Sequence, residues 1–229
     1  MTEILEVFNK LVEYFGKDMA LYLVIAAIAL YGIHFLLKTY SGTLQKLANN
    51  WIDEKNKKHS DGAKHRKNVS PKIRAELMDL AKEIKADRAL VFEYSNGTSN
   101  LVGLPFLYIS ATYEVTTPGT STVSLNYQKV NAALIAEFLE DLEDKGYYYV
   151  HNVECIKNKY PVVYSMMKPN DVRSAIFYTL YGVNNTIGFV VATTVKDKEF
   201  TRDDALPEIA GTAQIISSLL NFDAIQEKL

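Results

Sequence analysis

The stretch Ser174–Val195, SAIFYTLYGVNNTIGFVVATTV, decides the fold because two apolar segments flank a short polar break. Ser174–Leu180 and Ile187–Val195 are rich in aromatic and β-branched residues, which favour strands. Residues 182–185, GVNN, lie between them and are of the types that form tight turns. The pattern predicts an antiparallel hairpin, the clearest in the chain.

A helix is expected directly after this hairpin. Thr201 supplies a hydroxyl for an N-cap, and Asp203 and Asp204 place carboxylates at the positive end of the helix dipole. Residues of a buried stripe then recur at helical spacing: Ile209, Thr212, Ile216 and Leu220.

Two further helices are expected before the hairpin. Ser70-Pro71 has the residue types of an N-cap and a first helical position, so a helix is predicted to begin there. The second has one apolar face and ends at Gly146, before the short strand Tyr147–Val150. The apolar positions of these helices are Ile73, Leu77, Leu80, Ile84, Val130, Leu134, Phe138 and Leu142.

A second pair of strands is expected between these helices. Ala89–Tyr94 reads as a strand, Asn96-Gly97 is typical of a hairpin turn, and Leu101–Val115 follows as the partner strand. Helices therefore segregate around an antiparallel sheet over residues 70–229, which predicts an α+β domain.

A different structure is predicted for the N-terminal part of the chain. Met19–Leu37 contains no charged residue, and as a helix it would extend roughly 28 Å, close to the thickness of a bilayer core. A transmembrane helix is the favoured interpretation, and a signal peptide or a buried core helix are the alternatives. Residues 1–18 read as an amphipathic helix and residues 38–69 as a charged linker.

The predicted span carries features that bear on partners and orientation. Ala26, Ala29 and Gly32 recur every third residue, a spacing that favours self-association of helices within lipid. The segment after the span is rich in lysine, whereas the segment before it is acidic on balance. The positive-inside rule therefore predicts a cytoplasmic C-terminal domain.

The final hairpin and helix resemble the end of a GAF or PAS-like domain. The residues that carry the likeness are Asn185–Val191 and the cap Lys198-Glu199-Phe200-Thr201-Arg202-Asp203-Asp204. The whole layout is also similar to the single-span holins of T-even-type tailed phages. That resemblance implies a protein of the host inner membrane that associates with itself, opens lesions for an endolysin, and has a periplasmic domain that binds an antiholin.

Little in the sequence points to catalysis, so no enzyme activity is expected. Phosphate-binding and nucleophile motifs are missing, and His151 and Cys155 form only an isolated pair. No metal and no cofactor is predicted. The formal net charge of −2 offers no basic field for nucleic acid.

A ligand or partner pocket is more plausible than an active site. It would combine aromatic surface with polar groups from Glu93, Tyr94, Asn96, Phe106, Tyr108, Tyr113 and Glu114, although an aromatic core with polar edges is the alternative. Two functions follow as expectations. The first is the lysis protein that the holin resemblance implies, and the second is a membrane-tethered GAF-type ligand-sensing or regulatory module.

Overall fold

The computed structural model describes residues 2–99, 105–195 and 199–221. Internal contacts divide the chain into two compact units, Met1–Asp61 and Gly62–Leu229. Helix α2 contributes to both units because it extends from Lys17 to Glu83.

The first unit is helical. Helix α1 spans Thr2–Phe15, and Gly16 follows with a φ of +80°, a left-handed conformation that suits glycine before α2 begins. Within α2, Lys17–Tyr40 is the one described helical segment that is long and apolar enough to cross a membrane by length and composition. A membrane position for it stays a prediction, as does the division into residues 1–18, 19–37, 38–69 and 70–229 that was made from the sequence.

The second unit is built on a six-stranded sheet in the order β3-β2-β1-β6-β5-β4, with every described neighbouring pair antiparallel. The α+β prediction is therefore confirmed, with helices on both faces. The strands are β1 Arg88–Ser99, β2 Pro105–Thr116, β3 Val130–Asn131, β4 Tyr147–Val150, β5 Val172–Tyr181 and β6 Thr186–Val195.

Three further helices surround the sheet. They are α3 Ala136–Lys145, α4 Pro161–Met167 and α5 Arg202–Leu220. Short 3-10 turns at Ser124–Tyr127, Ala132–Ile135, Val153–Ile156 and Lys168–Asn170 connect them to the strands.

Alternation along the strands creates two hydrophobic cores, one on each face of the sheet. Leu90 and Phe92 of β1 face one core, to which Phe138 of α3 contributes. Ala89 and Val91 of β1 face the other, which α5 and the C-terminal turns of α2 complete. The sheet is therefore buried on both sides, and its two faces can serve different roles.

The predicted final hairpin and helix are confirmed. Strands β5 and β6 pair from Val172↔Val195 to Tyr181↔Thr186, and the Thr201 hydroxyl accepts a hydrogen bond from the backbone N–H of Asp204. Gly188 of β6 lies so close to β1 that a Cβ atom there would come within 1.9 Å of the Phe92 carbonyl oxygen. Its φ of +152° also disfavours other residues.

The predicted helix start at Ser70-Pro71 is wrong, because both residues lie inside α2. The Ser70 hydroxyl donates to the carbonyl oxygen of Arg66, one turn earlier (2.6 Å), so Ser70 bonds within the helix instead of capping it. Helix α2 continues through Pro71, although proline has no backbone N–H to donate.

The predicted turn at Asn96-Gly97 is also wrong. Asn96 pairs with Leu107 and Ser99 with Pro105, so β1 continues past both residues. Gly97 serves close packing instead, since a Cβ atom there would lie 2.2 Å from the Tyr108 ring. The connection between β1 and β2 falls at 100–104, outside the described residues.

The predicted helix through Val130 begins later than expected. Val130 pairs with Ile109 in the sheet, and the Asn131 side chain accepts from the Ala133 N–H (3.0 Å), which starts a 3-10 turn. Helix α3 begins only at Ala136, and Leu134 is exposed. The expected end is confirmed, because Gly146 adopts a φ of +76° and its N–H bonds to Glu143.

Candidate functional site

An apolar cavity of about 60 Å³ lies on the face of the sheet that carries α3 and α4. Its walls are aliphatic and aromatic apart from three polar side chains, Arg88, Tyr127 and Thr193. A mostly apolar space with a few polar groups is the usual composition of a small-molecule site. This cavity is therefore the candidate site of the domain.

Strands β1 and β6 form the floor of the cavity in three pairs of facing residues. The pairs are Arg88↔Thr193, Leu90↔Val191 and Phe92↔Phe189. The two aromatic rings of the last pair stack with centroids 4.9 Å apart. The floor is thus polar at one end and aromatic at the other.

Arg88 is a buried cation, with only 3% of its surface exposed. Its Nε donates to the carbonyl oxygen of Ser121 (2.8 Å) and its Nη1 to that of Asn170 (2.9 Å). Nη2 makes a longer contact with the Ser121 hydroxyl (3.4 Å). None of the ion pairs among the described residues includes Arg88.

Thr193 lies opposite Arg88 and is 6% exposed. Its Oγ1 has no hydrogen-bond partner among the residues that the structure describes. Buried polar groups almost always have a partner, so an unpartnered hydroxyl at a cavity wall marks a place where a ligand atom or a water molecule can bind.

Tyr127 also lines the cavity, and its hydroxyl already has two hydrogen-bond partners. Its hydroxyl donates to the carbonyl oxygen of Met166 (2.7 Å) and accepts from the side-chain amide of Asn170 (2.6 Å). Burial raises the pKa of this phenol above its usual value, so it stays neutral at physiological pH.

The structure does not bring the seven predicted pocket residues into one site. Glu93 and Tyr113 lie on the α2 face of the sheet, where Arg66 contacts both side chains. Tyr94 packs against the cavity-side core, and its hydroxyl donates to Glu143 of α3 (3.0 Å). Burial first, and then the Glu143 carboxylate, raise the pKa of Tyr94.

The other four residues have separate surroundings. The buried Glu114 carboxylate accepts the backbone N–H groups of Val123 (2.8 Å) and Ser124 (2.9 Å), which fixes a loop beside the cavity. Asn96 is exposed on β1. Phe106 and Tyr108 of β2 have ring centroids 6.4 Å apart. Binding through any of these side chains stays a prediction.

A surface groove of about 500 Å³ contains two of the predicted residues, Tyr94 and Phe106. Carboxylates of α3, from Glu140, Glu143 and Asp144, form its other wall. The groove is wide and open, whereas the cavity on the sheet face is lined mostly by buried side chains, so the cavity is the better candidate for a small ligand.

The remaining candidates are not among the residues that line the cavity. Cys155 is exposed in the turn Val153–Ile156, and His151 Nδ1 lies 3.8 Å from a Glu199 carboxylate oxygen. Among the described residues, no cluster of three or more His, Cys, Asp or Glu side chains could hold a metal ion. Ala26, Ala29 and Gly32 lie within α2, and their association in lipid stays a prediction.

No known protein family matches the chain, and no curated protein sequence matches it. Solved structures do match. The GAF3 domain of Slr1393 from Synechocystis sp. PCC6803 has a TM-score of 0.55 at 10% identity, covering 70% of this chain and 98% of that chain. The red/green cyanobacteriochrome NpR6012g4 has a TM-score of 0.53 at 11% identity, covering 69% of this chain and 98% of that one.

The PixJ GAF domain of Thermosynechococcus elongatus matches in the same way, with a TM-score of 0.52 at 11% identity over 72% of this chain and 91% of that chain. Identities this low establish the fold alone. The second unit therefore has a GAF-like fold, as the final hairpin and helix suggested. No comparison supports the resemblance to holins.

Sequence reasoning missed the cavity residues, although a signal for them exists. Arg88, Leu90 and Phe92 alternate along β1, and Phe189, Val191 and Thr193 alternate along β6. An arginine and a threonine in an otherwise apolar period-two row mark the polar end of a buried face.

Proposed function

We propose that this chain is a membrane-tethered GAF-type sensory or regulatory module whose cavity receives a small ligand. One observation carries the proposal: an apolar cavity on a GAF-like sheet contains a buried arginine and an unpartnered hydroxyl at the same end. A group that is costly to bury and lacks a partner is retained where a bound molecule supplies the missing contacts.

The solved structures of similar fold support the general class. They include light-absorbing proteins described in a photoproduct state, a red light-absorbing state and a blue-light absorbing form. A further structure of similar fold is described as a photoreceptor. We carry over the sensory role alone, and assign no light response to this chain.

Strand β1 provides a route from the cavity to helix α2. Phe92 lines the cavity, and its neighbour Glu93 binds Arg66 of α2 through two hydrogen bonds of 2.8 and 2.6 Å. A ligand that shifts β1 would therefore act on a residue pair that holds the helix. We propose α2 as the output element, with Lys17–Tyr40 as its membrane anchor.

The proposal is tested by filling the cavity in the full-length chain, purified in detergent. Val191→Ile adds one methylene group at the cavity wall, whereas the same substitution at the exposed Val183 adds it outside. Small molecules are screened by the rise in unfolding temperature that they cause, followed by circular dichroism.

We expect ligands that stabilise the parent and Val183→Ile proteins to lose most of their effect on Val191→Ile, because the added group occupies their space. Ligands that stabilise all three proteins equally would bind elsewhere and would contradict the cavity as the sensory site. A screen in which no molecule stabilises the parent chain would count against ligand sensing.

A further inference from the structure

The cavity floor has a direction that restricts the chemistry of a ligand. Its polar end is Arg88↔Thr193, its middle is Leu90↔Val191, and its far end is Phe92↔Phe189. A molecule bound at the polar end and directed towards the rings needs one polar group and an apolar body. An apolar molecule would leave the polar end unsatisfied, and a molecule polar at both ends would place one end against the stacked phenyl rings.

The positive charge of Arg88 favours an anionic ligand group at the polar end of the cavity. A guanidinium has five N–H donors, and those of Arg88 are used for three contacts, all with neutral oxygens. Two donors therefore remain for a ligand. The nearby buried Glu114 carboxylate is bound by the backbone N–H groups of Val123 and Ser124, and Arg88 belongs to none of the described ion pairs. Because Arg88 is also only 3% exposed, an anion inside the cavity would pair with its charge.

Thr193 adds a second donor beside this cation. Its Oγ1 is the buried side-chain atom without a partner among the described residues, and its position opposite Arg88 places both groups at one end. A planar carboxylate has two oxygens, one for the remaining guanidinium donors and one for the hydroxyl. Tyr127 offers no competing contact, because its hydroxyl already binds Met166 and Asn170.

The volume limits the apolar body. By the measure that gives this cavity about 60 Å³, one water molecule needs about 10–15 Å³. The cavity therefore holds about four to six non-hydrogen atoms. Acetate, propionate and butyrate have this size. We infer that the cavity binds a short-chain monocarboxylate, with the carboxylate at Arg88 and Thr193 and the alkyl group against Leu90 and Val191.

This inference rests on the proposed function and is tested separately from it. The full-length chain in detergent, in a buffer without carboxylates, is titrated with sodium propionate and with propionamide, its neutral analogue. Sodium chloride keeps the ionic strength equal. The matched variants are Thr193→Val, which removes the hydroxyl at nearly constant shape, and Thr193→Ser, which retains it.

We expect propionate to raise the unfolding temperature and propionamide to have a much smaller effect. Thr193→Val should weaken propionate binding about tenfold, the usual effect of losing one hydrogen bond to a charged group, and Thr193→Ser should retain most of it. Arg88→Met should abolish the response to propionate, and the Thr193 pair keeps the test decisive if that variant does not fold.

Three results would overturn the inference. Equal stabilisation by propionate and propionamide, removed by Val191→Ile, would show that the cavity binds neutral molecules, and the proposed function would stand. A propionate effect unchanged in Thr193→Val would place the anion elsewhere. If neither compound binds while another ligand responds to Val191→Ile, the carboxylate inference alone fails.

Discussion

Arg66 and Glu93 form a bidentate ion pair that joins helix α2 to strand β1, with Nη1–Oε1 and Nη2–Oε2 distances of 2.8 and 2.6 Å. The Thr112 hydroxyl donates to the same carboxylate (2.5 Å). Burial alone would raise the pKa of Glu93, but the hydrogen bonds from Arg66 and Thr112 and the charge of Arg66 outweigh it and hold that pKa below its usual range. The pair therefore stabilises the folded domain while Glu93 is ionised.

This ion pair predicts a pH dependence of stability. The folded-state pKa of Glu93 is below its unfolded value of about 4.3, so its contribution is complete above that pH and is lost as the pH falls through the folded pKa. Glu93→Gln should lower the free energy of unfolding at pH 7 by about 1 kcal/mol, a value reduced for solvent screening because Arg66 is half exposed.

Urea unfolding of the full chain between pH 7 and pH 3 checks this prediction. The difference between parent and Glu93→Gln should narrow below about pH 4.3. Glu140→Gln, at an exposed position of α3, is the control. A constant difference across the range would mean that the ion pair does not contribute in this way.

The unpartnered Thr193 hydroxyl predicts a stabilising substitution. Leaving a buried polar group without a hydrogen bond costs about 1–3 kcal/mol, and valine has almost the same shape as threonine. Thr193→Val should therefore raise the free energy of unfolding of the ligand-free protein by about 1 kcal/mol. Denaturant titration measures it, and a loss of stability in Thr193→Val would show that the hydroxyl has a partner.

Gly188 is predicted to tolerate no side chain. A Cβ atom would lie 1.9 Å from the Phe92 carbonyl oxygen and 2.9 Å from the Glu93 Cα, both on the central strand β1. Gly188→Ala should destabilise the domain by about 3 kcal/mol or more, since backbone must move and the φ is unfavourable.

Gly211 of α5 is the matched control for this substitution. A Cβ atom there meets nothing within 4 Å, so Gly211→Ala should stabilise the helix by about 0.5–1 kcal/mol. Thermal unfolding of both variants by circular dichroism compares them. Equal stability of the two variants would contradict the close approach of β6 to β1.

The sequence predicted elements whose signals are local. The final hairpin depends on strand-forming residues around a turn, and the Thr201 cap depends on residues three positions away, so both were predictable. The hairpin turn predicted at Asn96-Gly97 was wrong because the same dipeptide is compatible with a turn and with a close packing contact. Only the distant partner Tyr108 decides between them.

The strand pairing that brings the cavity residues together could not be read from the linear pattern. Arg88 and Thr193 are adjacent only because β6 pairs with β1, across a separation of more than a hundred residues. The predicted site was drawn from one strand pair and mixed both faces of the sheet, because it includes the consecutive residues Glu93 and Tyr94 and the consecutive residues Tyr113 and Glu114. Neighbouring residues of a strand point to opposite faces, so they cannot line one cavity together.

The apolar segment of α2 predicts membrane association of the full chain. Ile28 lies at the middle of Lys17–Tyr40, and an arginine at the centre of a transmembrane helix costs about 2.5–3.5 kcal/mol. The parent protein should stay in the membrane fraction until detergent is added, and Ile28→Arg should shift a large part of it to the aqueous fraction. Ile52→Arg, outside the segment, should not.

This fractionation also separates the alternatives for the segment. Recovery of the parent chain in the aqueous fraction without detergent would contradict a membrane anchor. Recovery of a shortened chain that has lost the segment would indicate a cleaved signal peptide. Both results leave the GAF-like domain intact and remove the tether from the proposed function.

The charge distribution predicts which side of the membrane the domain occupies. Lys38, Lys46 and the lysines near residue 57 follow the segment, whereas acidic residues predominate before it. The positive-inside rule predicts a cytoplasmic C-terminus, so in bacteria a C-terminal fusion to green fluorescent protein should fluoresce and a C-terminal fusion to alkaline phosphatase should be inactive. Cells that produce a tethered sensor should also keep growing after induction. Phosphatase activity together with abrupt membrane depolarisation would instead favour a lesion-forming protein with an external domain, because a tethered cytoplasmic sensor has no means of producing both.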